Sequence, residues 1–163
     1  MVEYNYPAET LEDTARLASC LARVLEAGDV LALTGDLGAG KTTLTRHLAR
    51  SLGVPESIPV TSPTFTLQNL YEGARLSICH VDLYRLSDGS ELSGLGAEEW
   101  LDDEALLIVE WADKAPEAVG ADYLEVRIQV APDGGRNFRF RPTGPAATDL
   151  VAALQAAIKE ALC

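Results

Sequence analysis

A chain of 163 residues, 47 % of them hydrophobic, has the length to bury one core and fits a single domain. Its 13 basic residues stand against 25 acidic ones, and the net charge of −12 excludes broad, unaided binding to phosphate backbones while leaving room for a local nucleotide site. The cysteines at 20, 79 and 163 form no C-x-x-C pair, which argues against a zinc cage or a disulfide framework, and no apolar run approaches the roughly 18 residues of a membrane span.

The start, MVEYNYPAET, has neither the basic opening nor the apolar run of a secretory leader, so the expected location is cytoplasmic. Thr10 opens a T-x-x-D capping pattern with Asp13, and Leu11, Ala15, Ala18, Leu21, Ala22 and Leu25 recur at helical spacing up to Gly28. DVLALT (29–34) reads as a short buried strand, GDLGAGKT (35–42) as a glycine loop, and TTLTRHLARSL (42–52) as a second amphipathic helix closed by Gly53 and Pro55. IPVTSPTFT (58–66) is irregular, because each proline pushes its predecessor into an extended shape. Leu67 to Arg85 reads as a hairpin turning at Glu72-Gly73, and two short helical pieces fill Gly89 to Leu101. ALLIVEW (105–111) is a continuous apolar strand of the kind covered on both faces. YLEVRIQVA and NFRFRP alternate with period two around a turn at APDGGR, and ATDLVAALQAAIKEAL (147–162) is an amphipathic closing helix. The order predicts an α/β fold of three layers around a mixed central sheet, undivided by any repeat or long linker.

Three glycines in eight positions are costly in regular structure, about 0.5–1 kcal/mol each relative to Ala. The spacing Gly35-x-x-x-x-Gly40-Lys41-Thr42 matches the phosphate-binding P-loop in full, which makes the expected architecture P-loop NTPase-like. In such a loop a strand delivers the chain to the sheet edge, and bare backbone lets successive N–H groups converge on one anion. Here those groups run from Asp36 and Leu37 through Gly38, Ala39 and Gly40 to Lys41, Thr42 and Thr43, the last of them at the positive end of a helix. Lys41 supplies a point charge for the outer phosphates, and the Thr42 hydroxyl suits Mg²⁺.

LLIVE ends four apolar residues on an acid, so Glu110 emerges at a strand's carboxyl end as a second group for the metal or its waters. In CHVDLYR, Cys79, Val81 and Leu83 form one face and His80, Asp82 and Tyr84 the other, a half-exposed strand with a wet side. Asp82 on that side is a candidate to orient water or magnesium, with His80 and Tyr84 as structural neighbours. Thr64 lies just past a proline corner, where a switch segment touches the γ-phosphate side. The candidate catalytic set is therefore Lys41, Thr64, Asp82 and Glu110. Trp111 suits either core or site. Arg136 begins an alternation with Arg139 and Arg141 that fits an exposed, aggregation-protected edge strand or a turn reaching the nucleotide.

GDLGAGKTT, SPTFT, HVDLYRL and LLIVEW, in that order from about Gly35 to Trp111, resemble the TsaE family of bacterial tRNA threonylcarbamoyladenosine biosynthesis. The resemblance implies an ATPase of weak intrinsic rate that acts with TsaB and TsaD in placing threonylcarbamoyl on the adenosine beside the anticodon. It implies ATP on the loop, Mg²⁺ on Thr42 and Glu110, functional roles for Thr64, Asp82 and Trp111, an ATP-contacting Arg136, and Thr10 near the base. Phe65 stands where the family often has Tyr, and the chain after Arg141 is unmatched. With a charge of −12, contact with tRNA should fall to the partners. Rival expectations are a small-molecule P-loop kinase, although no arginine-bearing helical lid is visible, and a nucleotide-gated assembly module without required turnover; a guanine-reading N-K-x-D segment is absent.

Overall fold

The computed structural model describes residues 2–92 and 94–163. Among them seven strands form one mixed sheet: β1 (Tyr4–Ala8), β2 (Val30–Thr34), β3 (Gln68–Tyr71), β4 (Ile78–Asp82), β5 (Leu106–Glu110), β6 (Leu124–Val130) and β7 (Arg136–Pro142). Their order across the sheet is β1-β7-β6-β2-β5-β4-β3. The middle four, β6-β2-β5-β4, run parallel, and the flanking pairs β1–β7, β7–β6 and β4–β3 are antiparallel. Every residue of β2, β4 and β5 is buried, as the unbroken apolar runs VLALT and LLIVE require of strands covered on both faces.

The two faces are covered differently. On one lie α1 (Leu11–Val24), α2 (Lys41–Ser51) and α3 (Pro145–Leu162), whose Leu17, Leu21, Leu44, Leu48 and Leu154 join Leu31, Ile108, Val126 and Phe140 of the sheet in one core. On the other, among the described residues, lie four short 3₁₀ turns, at Gly89–Leu92, Ala97–Leu101, Ala112–Lys114 and Pro116–Val119. Leu92, Trp100, Ala112 and Val119 from these turns cover Ala32, Val81, Leu107 and Val109. The third layer exists, but it is thin and lies over the parallel strands.

Several expectations need correction. Thr10 caps α1 with the reciprocal bond to Asp13, but the helix stops at Val24 because Leu25 turns extended (ψ 143°); Gly28 (φ 93°) belongs to the turn after it and donates to the Ala105 carbonyl at 3.0 Å. α3 begins at Pro145, two residues before the expected start, with the Asp122 carboxylate accepting from the amides of Ala146 and Ala147 (both 2.9 Å). β1 was not expected from the sequence. It pairs with β7 from Tyr4↔Phe140 to Ala8↔Arg136, so β7, with its three arginines, is an internal strand and not an edge. The proline in YNYPA is tolerated because β1 is the outermost strand. Most consequential for function, β4 has no wet side: His80 and Asp82 are as buried as Ile78, Cys79 and Val81 of the same strand.

Candidate nucleotide site

Parallel register gathers the chemistry at one end of the sheet. Leu33 of β2 and Asp82 of β4 both pair with Glu110 of β5, so all three strands reach their carboxyl ends together, and the glycine loop follows directly on the end of β2. Ligand sites of open parallel sheets form outside those ends. The loop turns through φ values of +145° at Gly35 and +115° at Gly40, which is the N-cap of α2. At Gly35 a β-carbon would meet the Ile128 carbonyl oxygen at 2.5 Å, so the opening glycine is a packing requirement as well as a conformational one.

Glu110 and Asp82 are buried carboxylates, 1 % and 2 % exposed. Buried charges demand donors, and these are present. The Thr42 hydroxyl donates to Glu110 Oε1 at 2.8 Å, and Ser62 Oγ lies 3.2 Å from Glu110 Oε2. Ser62 also donates to Asp82 Oδ2, which Thr64 Oγ1 reaches at 3.1 Å, while Asp82 Oδ1 accepts the Tyr84 amide at 2.8 Å. Burial pushes the Glu110 carboxyl up, but the nearby His80 ring, then the Thr42 and Ser62 hydroxyls, outweigh it and hold the group below its ordinary value. Glu110 is therefore an ionised acceptor at neutral pH.

Lys41 is folded against its own loop, donating to the carbonyls of Gly35 (2.7 Å) and Asp36 (2.9 Å), with its ammonium 3.9 Å from the centroid of the Trp111 ring. Burial draws its pKa below the ordinary lysine value, with Glu110, Asp82, Asp113 and Asp36 opposing. Trp111 itself sits at φ +59°, a left-handed conformation that a bulky residue rarely adopts, and its ring lies 5.0 Å from that of Tyr84. Trp111 meets both expectations in part: it packs against the core cluster under the 3₁₀ turns and also lines the hollow beside Lys41. From the other side of the loop the Arg136 guanidinium donates to the Ala39 carbonyl at 2.7 Å and to the Gly134 carbonyl at 2.8 Å. Thr10 keeps its hydroxyl in the α1 cap, accepting from the Asp13 amide at 3.2 Å.

Two hollows share the loop between them. One, of about 300 Å³, is lined by Leu37, Lys41, Thr42, Ser62, Asp82, Glu110 and Trp111 among others. The second, of about 360 Å³, has Thr10, Arg136 and Phe138 on its walls, and Gly38, Gly40 and Thr43 border both. The residues expected from the sequence are thus brought together: Lys41, Thr42, Thr64, Asp82, Glu110 and Trp111 on one side, Thr10 and Arg136 on the other. Asp36 contributes a carbonyl to Lys41, Leu37 is an exposed tip, and Ala39 is buried beneath it. Sequence reasoning missed Ser62, whose hydroxyl bridges both carboxylates; its only signal was a second hydroxyl residue in the same proline corner. His80, expected as a structural neighbour, is fully buried with Nε2 3.5 Å from Glu110 Oε2.

A mixed α/β sheet with a parallel centre, carrying a glycine loop between strand and helix and carboxylates at the neighbouring strand ends, places the chain in the class of P-loop α/β proteins. The model of the family "Threonylcarbamoyl adenosine biosynthesis protein TsaE" matches residues 8–138. The chain is 39 % identical over 133 residues to the tRNA threonylcarbamoyladenosine biosynthesis protein TsaE of Bacillus subtilis, covering 82 % of each chain. It is 42 % identical over 106 residues to that of Aquifex aeolicus, covering 65 % of this chain and 74 % of the other. The crystal structure of Bacillus subtilis YdiB superposes with a TM-score of 0.82 at 31 % identity over 95 % of both chains. The chain belongs to the TsaE family.

Proposed function

We propose that the chain binds ATP with Mg²⁺ across the glycine loop and hydrolyses it slowly, acting with TsaB and TsaD in the formation of threonylcarbamoyl adenosine on tRNA. One observation carries the reading: the Thr42 hydroxyl is hydrogen-bonded to the ionised Glu110 carboxylate directly behind the phosphate loop. A hydroxyl and a carboxylate are the hard oxygen donors that Mg²⁺ takes from a protein beside substrate phosphates. That pair fits the ion, and a bound cation there supplies charge neutralisation of the β- and γ-phosphate oxygens.

In this reading the hollow containing Lys41 and Glu110 receives the phosphate tail, and the hollow walled by Thr10 and Arg136 receives the nucleoside. Lys41 exchanges its bonds to Gly35 and Asp36 for phosphate oxygens, remaining under the Trp111 ring. Arg136 keeps the outer loop carbonyls turned away from the ligand by binding them itself. The hydroxyls of Ser62 and Thr64, held by Asp82, orient the attacking water. Water adds at the γ-phosphorus, the β–γ bridging bond breaks, and ADP and phosphate leave. Hydrolysis resets the complex between rounds of modification.

The test is reconstitution with TsaB, TsaD and unmodified tRNA, scoring modified adenosine over many turnovers with ATP and with a non-hydrolysable analogue. The expected result is repeated modification with ATP only. Equal repeated modification with the analogue points to a nucleotide-gated assembly module. Phosphoryl transfer to a small acceptor without free phosphate points to a kinase.

A further inference from the structure

His80 is a buried polar residue that touches neither of the two hollows. It lies on β4 opposite Ile108 of β5, two positions before Asp82 and on the same face of the strand. Across the sheet it faces Ile108 on one side and Asn69 of β3 on the other; Ile78 and Ile108 belong to the helix-side core, and the Tyr71 ring centroid is 6.2 Å away. The side chain is 0 % exposed, and neither Nδ1 nor Nε2 has a hydrogen-bond partner among the described residues. A fully buried imidazole with no hydrogen-bond partner is a cost that packing does not require, since an apolar side chain of similar size would fill the space. What the imidazole adds is a nitrogen aimed at one group: Nε2 stands 3.5 Å from Glu110 Oε2.

We propose that His80 is a positioning residue for Glu110, holding Oε2 from inside the sheet so that Oε1 is presented, beside the Thr42 hydroxyl, to the divalent cation. The proposal rests on the ATP and Mg²⁺ reading above. The carboxylate has two ends with different neighbours: Oε1 is fixed by Thr42 at 2.8 Å, and Oε2 is reached by Ser62 at 3.2 Å and His80 at 3.5 Å. Ser62 is shared with Asp82 and Thr64, so its hold on Oε2 is divided. His80 belongs to a buried strand, and among the described residues no hydrogen bond competes for its Nε2. It therefore sets the rotation of the carboxylate independently of the loop above it. Partners of this kind behind a metal-binding carboxylate typically carry about 10–100-fold in metal affinity.

The experiment titrates ATP into the full chain, once in EDTA and once in excess Mg²⁺, and reads the gain in affinity that the metal brings. For His80→Leu the affinity in EDTA and the melting temperature should be kept, while the metal-dependent gain falls about 10–100-fold. In His80→Gln, whose amide reaches the Nε2 position, the gain should survive to within about threefold of wild type. His80→Asn is polar but too short to reach Oε2, and should lose the gain. The Gln and Asn pair decides the matter if the Leu variant does not fold. An undiminished gain in His80→Leu, or equal loss in Gln and Asn, overturns the proposal. A wild-type chain that binds no ATP in either condition refutes the nucleotide reading itself, and the proposal with it.

Discussion

Replacing Gly35 by alanine introduces one methyl group at the mouth of the loop, and the geometry gives its consequence. The new β-carbon stands 2.5 Å from the Ile128 carbonyl oxygen and 3.2 Å from the Ala39 β-carbon, on a backbone at φ +145°. Ile128 lies in β6, opposite Phe138 of β7 and one residue past the last β2 pair, Thr34↔Arg127, so its carbonyl cannot move away without disturbing the β6–β7 ladder. Overpacking of this kind costs about 1–3 kcal/mol, and an unfavourable positive φ adds about 1–2 kcal/mol, together about 2–5 kcal/mol. Gly38 is the internal control: at φ +80° a β-carbon added there meets nothing within 4 Å, so Gly38→Ala should show the conformational part alone, about 1–2 kcal/mol. Urea denaturation of the two variants reads the difference directly, with a midpoint shift on the order of 1–2 M for Gly35→Ala and clearly less for Gly38→Ala. Equal stability of the two would refute the inference that the approach of β6 fixes the opening glycine.

Thr10→Ala removes the α1 cap and should lower stability by about 1 kcal/mol in chemical denaturation. The Asp13 carboxyl is held below its ordinary value, first by the Thr10 amide, so it contributes stability above its unfolded value of about 3.9 that is lost as pH falls through the lower folded value. Asp13→Asn should therefore flatten the fall in denaturation midpoint below about pH 4 and leave the slope near neutrality unchanged. Burial pushes the Cys79 thiol up to about 11, and Cys20 is buried as well, whereas Cys163 is exposed; a thiol reagent at about pH 8 should count one group natively and three in denaturant. On the proposed reading, Glu110→Ala should retain part of the ATP affinity while losing phosphate release, because it would remove metal positioning but leave the glycine loop in place.

What the sequence revealed was what neighbouring residues decide together. The loop spacing, the Thr10 cap, the two hairpins and the unbroken LLIVE strand each follow from a few consecutive side chains, and each is present. The misreadings share a different cause. CHVDLYR alternates polar and apolar residues, and period two alone cannot reveal that the polar side of the strand is buried too. The closeness of His80 to Glu110 was hidden for the same reason, since it arises from parallel pairing of β4 with β5, which sets Asp82 opposite Glu110. Ser62 became visible only when that pairing brought the two carboxylates to one hydroxyl. β1 escaped because its Tyr-x-Tyr alternation is short and holds a proline, and only its pairing with β7 explains it.

Calorimetric titration of ATP in excess Mg²⁺, into wild type and into Lys41→Ala, tests the central claim most directly. One saturable site per chain in the wild type, absent from the variant, is the predicted result. No heat of binding to the folded wild-type chain, even with TsaB and TsaD present, would contradict it.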